Sequence, residues 1–315
     1  PPPPFTTSTL QQAAASRLGF SVRQTMVLAQ KLYESGHITY MRTDSVNLSE
    51  TALNQASKQI VAQFGQKYHK KRQYRTKSAG AQEAHEAIRP TDFATTAAGK
   101  DPKQQKLYRL ILARALASQM SDAEVEKTEI IIDNDKVKEK FITKGEIIVF
   151  PGFLKAYGSA KQADDSILPD LTNGDVVKYE QITASETYAR PPARYSEASL
   201  VKKLESEGIG RPSTYAPTIS TVQARGYVQK SDGIAKTREI SIIELQGDKL
   251  SSKQESENYD TDRNRLMPTD TGVVVTDFLL KFFKEIVDYQ FTAKVEKEFD
   301  EDRKSTRLNS SHTDI

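Results

Sequence analysis

The sequence predicts an α+β chain of several domains, with helical segments flanking an antiparallel β middle. Three features lead there. Apolar residues recur at helical spacing over 8–64 and again over 101–120. From 127 to 188 that spacing gives way to β-branched, alternating runs. At Ser196 the helical spacing returns and continues as helix, turn, helix and hairpin. A length of 315 residues suits two or three domains. The expected division is 1–126 helical, 127–193 antiparallel β, 194–301 winged-helix-like, and 302–315 a tail set apart from the rest.

Each element has its own signal. Ser8-x-x-Gln11 reads as a capping box, with Leu10, Ala13, Ala14 and Leu18 on one face and Gly19 as the stop. Ser21-x-x-Gln24 opens a second helix carrying Val22, Thr25, Met26, Ala29, Leu32 and Tyr33, and Gly36 closes it. HITYM (37–41) reads as a short strand, and 49–64 as a third helix through Leu53, Ala56, Ile60, Val61 and Phe64. Asp101-Pro102 is an N-cap followed by proline, opening a helix that runs to about Met120. EIIID, VKEKFIT and EIIVF read as strands parted by turns at DND and KGE, and 175–188 as more of the same sheet after a polar excursion at 158–170. Ser196 starts a helix with Ala198, Leu200, Val201 and Leu204, which Gly208 stops. Ser213 reads as the N-cap of a second helix, with Ile219 and Val222, up to Gly226. YVQ and REISIIEL, around Ser231-Asp232-Gly233, read as a hairpin, 247–265 as a polar loop, and 272–299 as one or two amphipathic helices. Helix, turn, helix and hairpin is the outline of a winged helix-turn-helix, an outline also found in proteins that bind no DNA.

Composition narrows the function classes. Hydrophobic residues are 37% and charged residues 28%, but 12 Phe and 13 Tyr supply enough apolar bulk to exclude wholesale disorder. No apolar stretch approaches the roughly 20 residues that span a bilayer, so a membrane is not an expected partner. With no cysteine, disulfides, thiol catalysis and Cys-based zinc sites are excluded, which fits a reducing compartment. A net charge of +3 is too mild to name a partner. The opening Pro1-Pro2-Pro3-Pro4 resembles neither a translation start nor a signal peptide. RKSTRLNSSHTDI holds only Leu308 and Ile315 as large apolar residues, and is expected to be a non-native tail, with an ordinary polar tail as the alternative.

Four clusters could carry chemistry. Tyr40 and Arg42 are two residues apart, hence on one side of an extended segment. A phenol ionises near pH 10, so a neighbouring cation is needed both to favour the phenolate and to steady an attacked phosphate. Asp44 is expected off that face, orienting Arg42 across a turn. The alternative is a buried tyrosine beside a surface Arg–Asp pair. In Gln82–Pro90, His85 and Arg89 are four apart and are expected on one helix face, where both could meet a phosphate. An exposed helix with Glu–Arg pairs is the alternative there, and a single strong nitrogen ligand makes no metal site. KYHKKRQYRTK (67–77) interleaves six cations with Tyr68 and Tyr74, which suits single-stranded nucleic acid as well as a solvated loop. Glu207–Tyr215 sets glycines, Arg211, Ser213 and Thr214 at a helix start, a phosphate clamp or cap chemistry alone. Its glycine spacing matches neither a Walker loop nor a dinucleotide fingerprint.

ITYMRTDS (38–45), AHEAIRPTD (84–92) and PPARYSEASLVKKLESEGIGRPSTYAPTISTVQARGYV (191–228), in this order, closely resemble bacterial type IA DNA topoisomerases. FTTSTLQQAA at the start, and PTDTGVVVTDFLLKFF with VDYQFTA near the end, extend the resemblance over about 1–301. Met41, where the topoisomerase III branch usually has proline, favours the topoisomerase I branch. The resemblance implies that Tyr40 attacks a single-strand phosphodiester to form a 5′-phosphotyrosine. Arg42 would assist cleavage, Asp44 would be its acidic neighbour, and His85 would sit near the scissile phosphate. Arg89, Arg211, Ser213, Thr214 and Arg225 would contact the DNA strand. The implied activity is relaxation of negative supercoils without ATP, by a monomer acting mainly on single-stranded DNA in the bacterial cytoplasm at the nucleoid. The middle sheet would be the hinge of the gate.

Members of that family also carry a toprim domain whose Glu and DxDxE set bind Mg²⁺, a lysine acid, and often C-terminal zinc ribbons. No DxDxE occurs here, and Asp260-Thr261-Asp262 lacks the third acid. The chain is therefore expected to be a fragment, inactive alone, with Mg²⁺ bound by the missing domain and not here. A non-catalytic single-stranded DNA-binding module is the main rival. A tyrosine recombinase is disfavoured because Tyr40 precedes His85, and a purely structural role by the lack of repeats or heptads.

Overall fold

The computed structural model describes residues 1–74, 85–158, 168–232, 235–260 and 263–310. The first lobe is built from α1 (Thr7–Leu18), α2 (Val22–Glu34), α3 (Glu50–Phe64) and α4 (Pro102–Ser118). The caps of α2, α3 and α4 are Ser21, Ser49 and Asp101, each accepting from a backbone N–H of the first turn. The cap of α1 is Thr6, not Ser8: Thr6 and Thr9 exchange side-chain bonds with each other's backbone N–H. Ser8 already lies inside the helix, buried, with its hydroxyl turned to Glu205. Gly19 ends α1 at φ +68°, a left-handed conformation that costs other residues about 1 kcal/mol or more.

One core joins these helices. Phe5, Leu10, Leu32, Ile38, Ile60, Ile88, Phe93, Leu107 and Ile111 bury together, each burial contributing about 1.5–3 kcal/mol. Two chain segments thread through it. Ile38 bridges Pro90 and Phe5 bridges Ile88, so HITYM forms a single bridge and no strand. The helix expected over 82–90 does not form across the described residues 85–90, which run extended (82–84 lie outside the described residues). Ile88 must reach the core beside Phe5, and Pro90 disfavours a helical Arg89 before it.

The expected single middle sheet is two separate ones. β1 (Glu124–Asn134) and β2 (Val137–Phe150) form one long antiparallel hairpin, turning at Asn134, whose Oδ1 accepts the Lys136 N–H at 2.8 Å. The KGE turn does not exist, because Gly145 sits within β2 opposite Thr128. β3 (Gln181–Ser185) leaves this hairpin and pairs with β5 (Lys236–Gln246), which pairs in turn with β6 (Lys249–Tyr259). The expected polar loop 247–265 is thus largely a strand. KLSSKQESENY has no apolar face to betray it; the backbone ladder to β5 orders it. Most of the polar excursion, 159–167, lies outside the described residues, as do Gly233, Thr261 and Asp262.

The second lobe holds α5 (Glu197–Ser206), α6 (Tyr215–Ala224), α7 (Asp270–Phe282) and α8 (Tyr289–Ser310). β4 (Val228–Ser231) pairs with β7 (Arg265–Pro268), so the expected hairpin of YVQ with REISIIEL is replaced by a longer-range pairing. Helix α8 crosses the expected tail boundary at 302 unbroken, and 311–315 lie outside the described residues. A small core of Val22, Val201, Tyr215 and Ile219 joins the two lobes.

Candidate active site

Tyr40 stands between α2 and α3 and is 42% exposed. Its ring meets Tyr33 edge-on at 5.2 Å and His85 at 6.5 Å between centroids. Burial alternates along the segment: Met41, Thr43 and Ser45 face inward, Tyr40 and Arg42 are exposed, and Asp44 is half-buried. Asp44 therefore shares the outward face of Tyr40 and Arg42, contrary to expectation. Even spacing along an extended backbone puts all three on one side.

That register is held from α1. Thr7 donates its N–H to Thr43 O at 2.8 Å and its hydroxyl to Met41 O at 2.8 Å. The same hydroxyl accepts the Thr43 N–H at 2.9 Å. On the other side of Tyr40, Thr39 N–H donates to Arg89 O at 2.9 Å, and Arg89 N–H to the Thr39 hydroxyl at 3.0 Å. Threonine suits this task because its hydroxyl both donates and accepts while its χ1 is stiff. Tyr40 thus sits between two pinned neighbours.

Burial pushes the Asp44 carboxyl above the usual carboxylate range, while its own backbone N–H, His85 and Arg211 pull against it. Arg89 does not point outward: its side chain is 13% exposed, and it donates to Glu86 at 2.5 Å and to Pro90 O at 2.9 Å. Glu86 also accepts the Ser49 N–H at 2.6 Å, which ties the His85 segment to the start of α3. The described part of the basic run is likewise engaged. Lys70 and Arg72 pair with Asp122 and Lys71 with Glu50, each at 2.8 Å, and Tyr68 is buried against Phe150. Lys70 and Arg72 hold the Asp122 carboxyl down at about 2. Residues 75–77 of that run lie outside the described residues.

The second lobe meets the first beside Tyr40. Ser8 donates to Glu205 at 2.7 Å, and Glu197 accepts the Val22 N–H at 2.9 Å at the start of α2. Tyr215 is buried at this junction, and burial, with Glu205 adding to it, pushes its phenol far above the ordinary value. Gly210 makes room for it: a Cβ there would stand 2.8 Å from the Tyr215 ring, at φ +84°. Ser213 and Thr214 are exposed at the start of α6, and Arg225 is exposed at its end. Ser213 is not the N-cap; Thr214 takes that position, and its hydroxyl accepts the Arg211 N–H at 2.8 Å instead of capping α6.

Arg211 is bonded across the lobe to Glu296 and Asp300 of α8. Burial works against its charge, but these carboxylates outweigh burial and raise its pKa. Tyr40, Arg42, Asp44 and His85 thus gather at one place, with Arg211 within electrostatic reach of Asp44. Glu296 and Asp300 escaped the sequence reading; their signal is two acids one helical turn apart, just after VDYQFTA. Among the described residues, no group of three or more His, Asp or Glu is arranged to hold a metal ion, and no helix is long and apolar enough to cross a membrane.

A family profile described as DNA topoisomerase matches residues 1–254. DNA topoisomerase 1 of Campylobacter jejuni is 44% identical over 96% of this chain and 40% of its own length. A prokaryotic-type DNA topoisomerase 1 of Acanthamoeba polyphaga mimivirus is also 44% identical, over 95% of this chain and 38% of its own. The solved full-length topoisomerase I of Thermotoga maritima superposes with a TM-score of 0.73 at 37% identity, covering 96% of this chain and 46% of that one. The chain therefore spans less than half the length of these relatives. A profile matched across both lobes and the Tyr40 site, together with that superposition, makes this chain a member of the bacterial DNA topoisomerase family.

Proposed function

We propose that this chain supplies the nucleophile half of a type IA topoisomerase, cutting and resealing one DNA strand through Tyr40. The observation that carries it is the presentation of Tyr40: an exposed phenol on the same face as Arg42, between backbone segments pinned by Thr7 and Thr39. In the forward step the Tyr40 phenol gives up its proton to solvent as its oxygen bonds to phosphorus, the bond to the 3′ oxygen breaks, and that oxygen takes up a proton in turn. The product is a 5′-phosphotyrosine. Because one phosphoester replaces another, no ATP is consumed, and resealing is the reverse transfer. Arg42 opposes the charge that builds on the phosphate. Asp44 and His85 flank the reacting groups, and the exposed Ser213, Thr214 and Arg225 lie where a single strand could be held.

Among the described residues, no set of side chains fits Mg²⁺. Asp300, the carboxylate that Asp44 feels across the junction, is engaged by Arg211 together with Glu296, and Asp44 itself is half-buried. We assign no step here to a metal, and place Mg²⁺ and the proton donor on the part of a full-length protein that this chain does not include. The hairpin β1–β2 and the sheet β3–β5–β6 are the proposed gate hinge between the lobes. The test is covalent trapping on a single-stranded oligonucleotide labelled at its 5′ side of the cut and at its 3′ side. With a toprim-bearing segment added in cis or in trans, the expected result is an adduct through the 5′ phosphate that Tyr40→Phe abolishes. The chain alone is expected to bind single strands without relaxing supercoiled plasmid. An adduct that survives Tyr40→Phe overturns the assignment.

A further inference from the structure

Arg211 belongs to the turn between α5 and α6, but its bonds go to the other end of the chain. Its Nε and Nη2 donate to Asp300 Oδ2 at 3.0 and 2.7 Å, and its Nη1 donates to Glu296 Oε2 at 2.9 Å and to Gly210 O at 2.7 Å. Glu296 Oε2 also accepts the Gly210 N–H at 2.7 Å. An arginine has five N–H donors, and these contacts use all but one of them. Glu296 and Asp300 are one helical turn apart on α8, so both face the same guanidinium. The carboxylate oxygens stand where phosphate oxygens of a bound strand would bond to the same fork.

Charge sharpens the point. Two carboxylates against one guanidinium leave this junction net negative, and Asp44, which feels both Asp300 and Arg211, adds to it. A strand phosphate meets repulsion there until the acids withdraw. What holds α8 in place is modest. Among the described residues it packs on no other helix or strand extensively, and Phe291 and Phe299 are exposed. Beside these bonds α8 also passes Gly208, where a Cβ would lie 3.7 Å from the Ala293 Cβ.

We propose that α8 is an acidic latch: in the DNA-free chain Glu296 and Asp300 occupy Arg211 in place of a strand phosphate, and a single strand binds by displacing them. The latch rests on the function proposed above for its ligand. Exchange of carboxylate for phosphate on one arginine fork replaces like with like, so strand binding and release of α8 become one coupled event.

The absence of cysteine makes a clean test possible. In the double variant Gly208→Cys/Ala293→Cys the Cβ atoms start 3.7 Å apart, inside the range a disulfide requires. Binding of a fluorescent single-stranded oligonucleotide to the full chain is read by anisotropy, oxidised and then reduced. The expected result is affinity at least about fivefold weaker in the oxidised form and restored by reduction. Any strain of the cysteine at 208 is common to both forms and cancels. The second arm is Glu296→Gln/Asp300→Asn, with its melting temperature measured alongside, which is expected to bind the strand severalfold more tightly at low salt. Equal binding by the oxidised and reduced forms overturns the latch. Weaker binding by a folded Glu296→Gln/Asp300→Asn variant also overturns it, and makes the acids a device that aims Arg211. If the unaltered chain binds no single strand, the proposed function falls and the latch with it; if it binds and the cross-link has no effect, the latch alone falls.

Discussion

Replacing Thr7 by valine keeps the shape of the side chain and removes one hydroxyl. That hydroxyl accepts the Thr43 N–H at 2.9 Å and donates to Met41 O at 2.8 Å, with Thr7 0% and Thr43 2% exposed. In Thr7→Val the Thr43 N–H is left buried without this partner, at about 1–3 kcal/mol, and Met41 O loses a donor, at about 0.5–1.5 kcal/mol. No cavity forms, so about 2–4 kcal/mol is the whole expected cost. For a lobe of this size that is a fall in melting temperature on the order of 10 °C. Thr7→Ser keeps the hydroxyl and loses one methyl, and should cost about 1 kcal/mol. The two variants therefore separate the hydrogen bonds from the packing. The same bonds set where Tyr40 and Arg42 stand, and a displacement of about 1 Å at a reacting group costs up to about a hundredfold in rate. Adduct formation by Tyr40 in a toprim-complemented protein should thus fall at least about tenfold in Thr7→Val. A valine variant within about 0.5 kcal/mol of the parent, with adduct formation unchanged, would refute the claim that α1 holds the register of the Tyr40 segment.

Two further outcomes are expected. Arg42→Ala should lose adduct formation by more than about tenfold while keeping most single-strand affinity, since its charge acts where phosphate charge builds; equal losses in both assays would reduce Arg42 to a binding residue. Glu86→Gln should destabilise the first lobe by about 1 kcal/mol at neutral pH. Burial pushes the Glu86 carboxyl up, but its bonds from Ser49 and Arg89 outweigh burial and hold it below its ordinary value of 4.5. A depressed carboxylate stabilises above its unfolded value and loses that contribution as pH falls through the folded one. The difference in melting temperature between Glu86→Gln and the parent should therefore shrink below about pH 4.5 and be gone in stronger acid. A difference that persists undiminished there would mean that the glutamine disturbs packing rather than charge.

The helices were legible because their signals are local. Ser21 and Asp101 cap the helices they were expected to open, and Ser49 and Ser196 turn out to cap the helices expected to begin there, since a side-chain oxygen and an N–H three residues on are neighbours in any helix start. Even the error at α1, Ser8 for Thr6, stayed within two residues. Tyr40, Arg42, Asp44 and His85 were legible as a group for a different reason: their motifs resemble a family's, and the chain carries those motifs in the family's order. Local patterning could not say that residues 85–90 run extended, because Ile88 is drawn into a core that includes Phe5, more than eighty residues earlier in the chain.

Pairing across the chain was decided by the tertiary structure alone. β3 reads like the end of the β1–β2 sheet, yet it bonds to β5, and β4 bonds to β7 and not to its neighbour in sequence. A strand exposes the same N–H and C=O groups to any partner, so its residues carry little information about which partner it takes. β6 shows the limit of this: a polar segment with no apolar period becomes a strand because β5 offers it a ladder. Arg211 is the case that bears on function. Its sequence surroundings mark it as a phosphate ligand, but which anion it holds depends on where α8 folds back, 85 and 89 residues along the chain. A salt bridge acts through a few ångströms of space and is blind to distance along the chain, so Glu296 and Asp300 could be recognised as its partners only once the fold had brought them there.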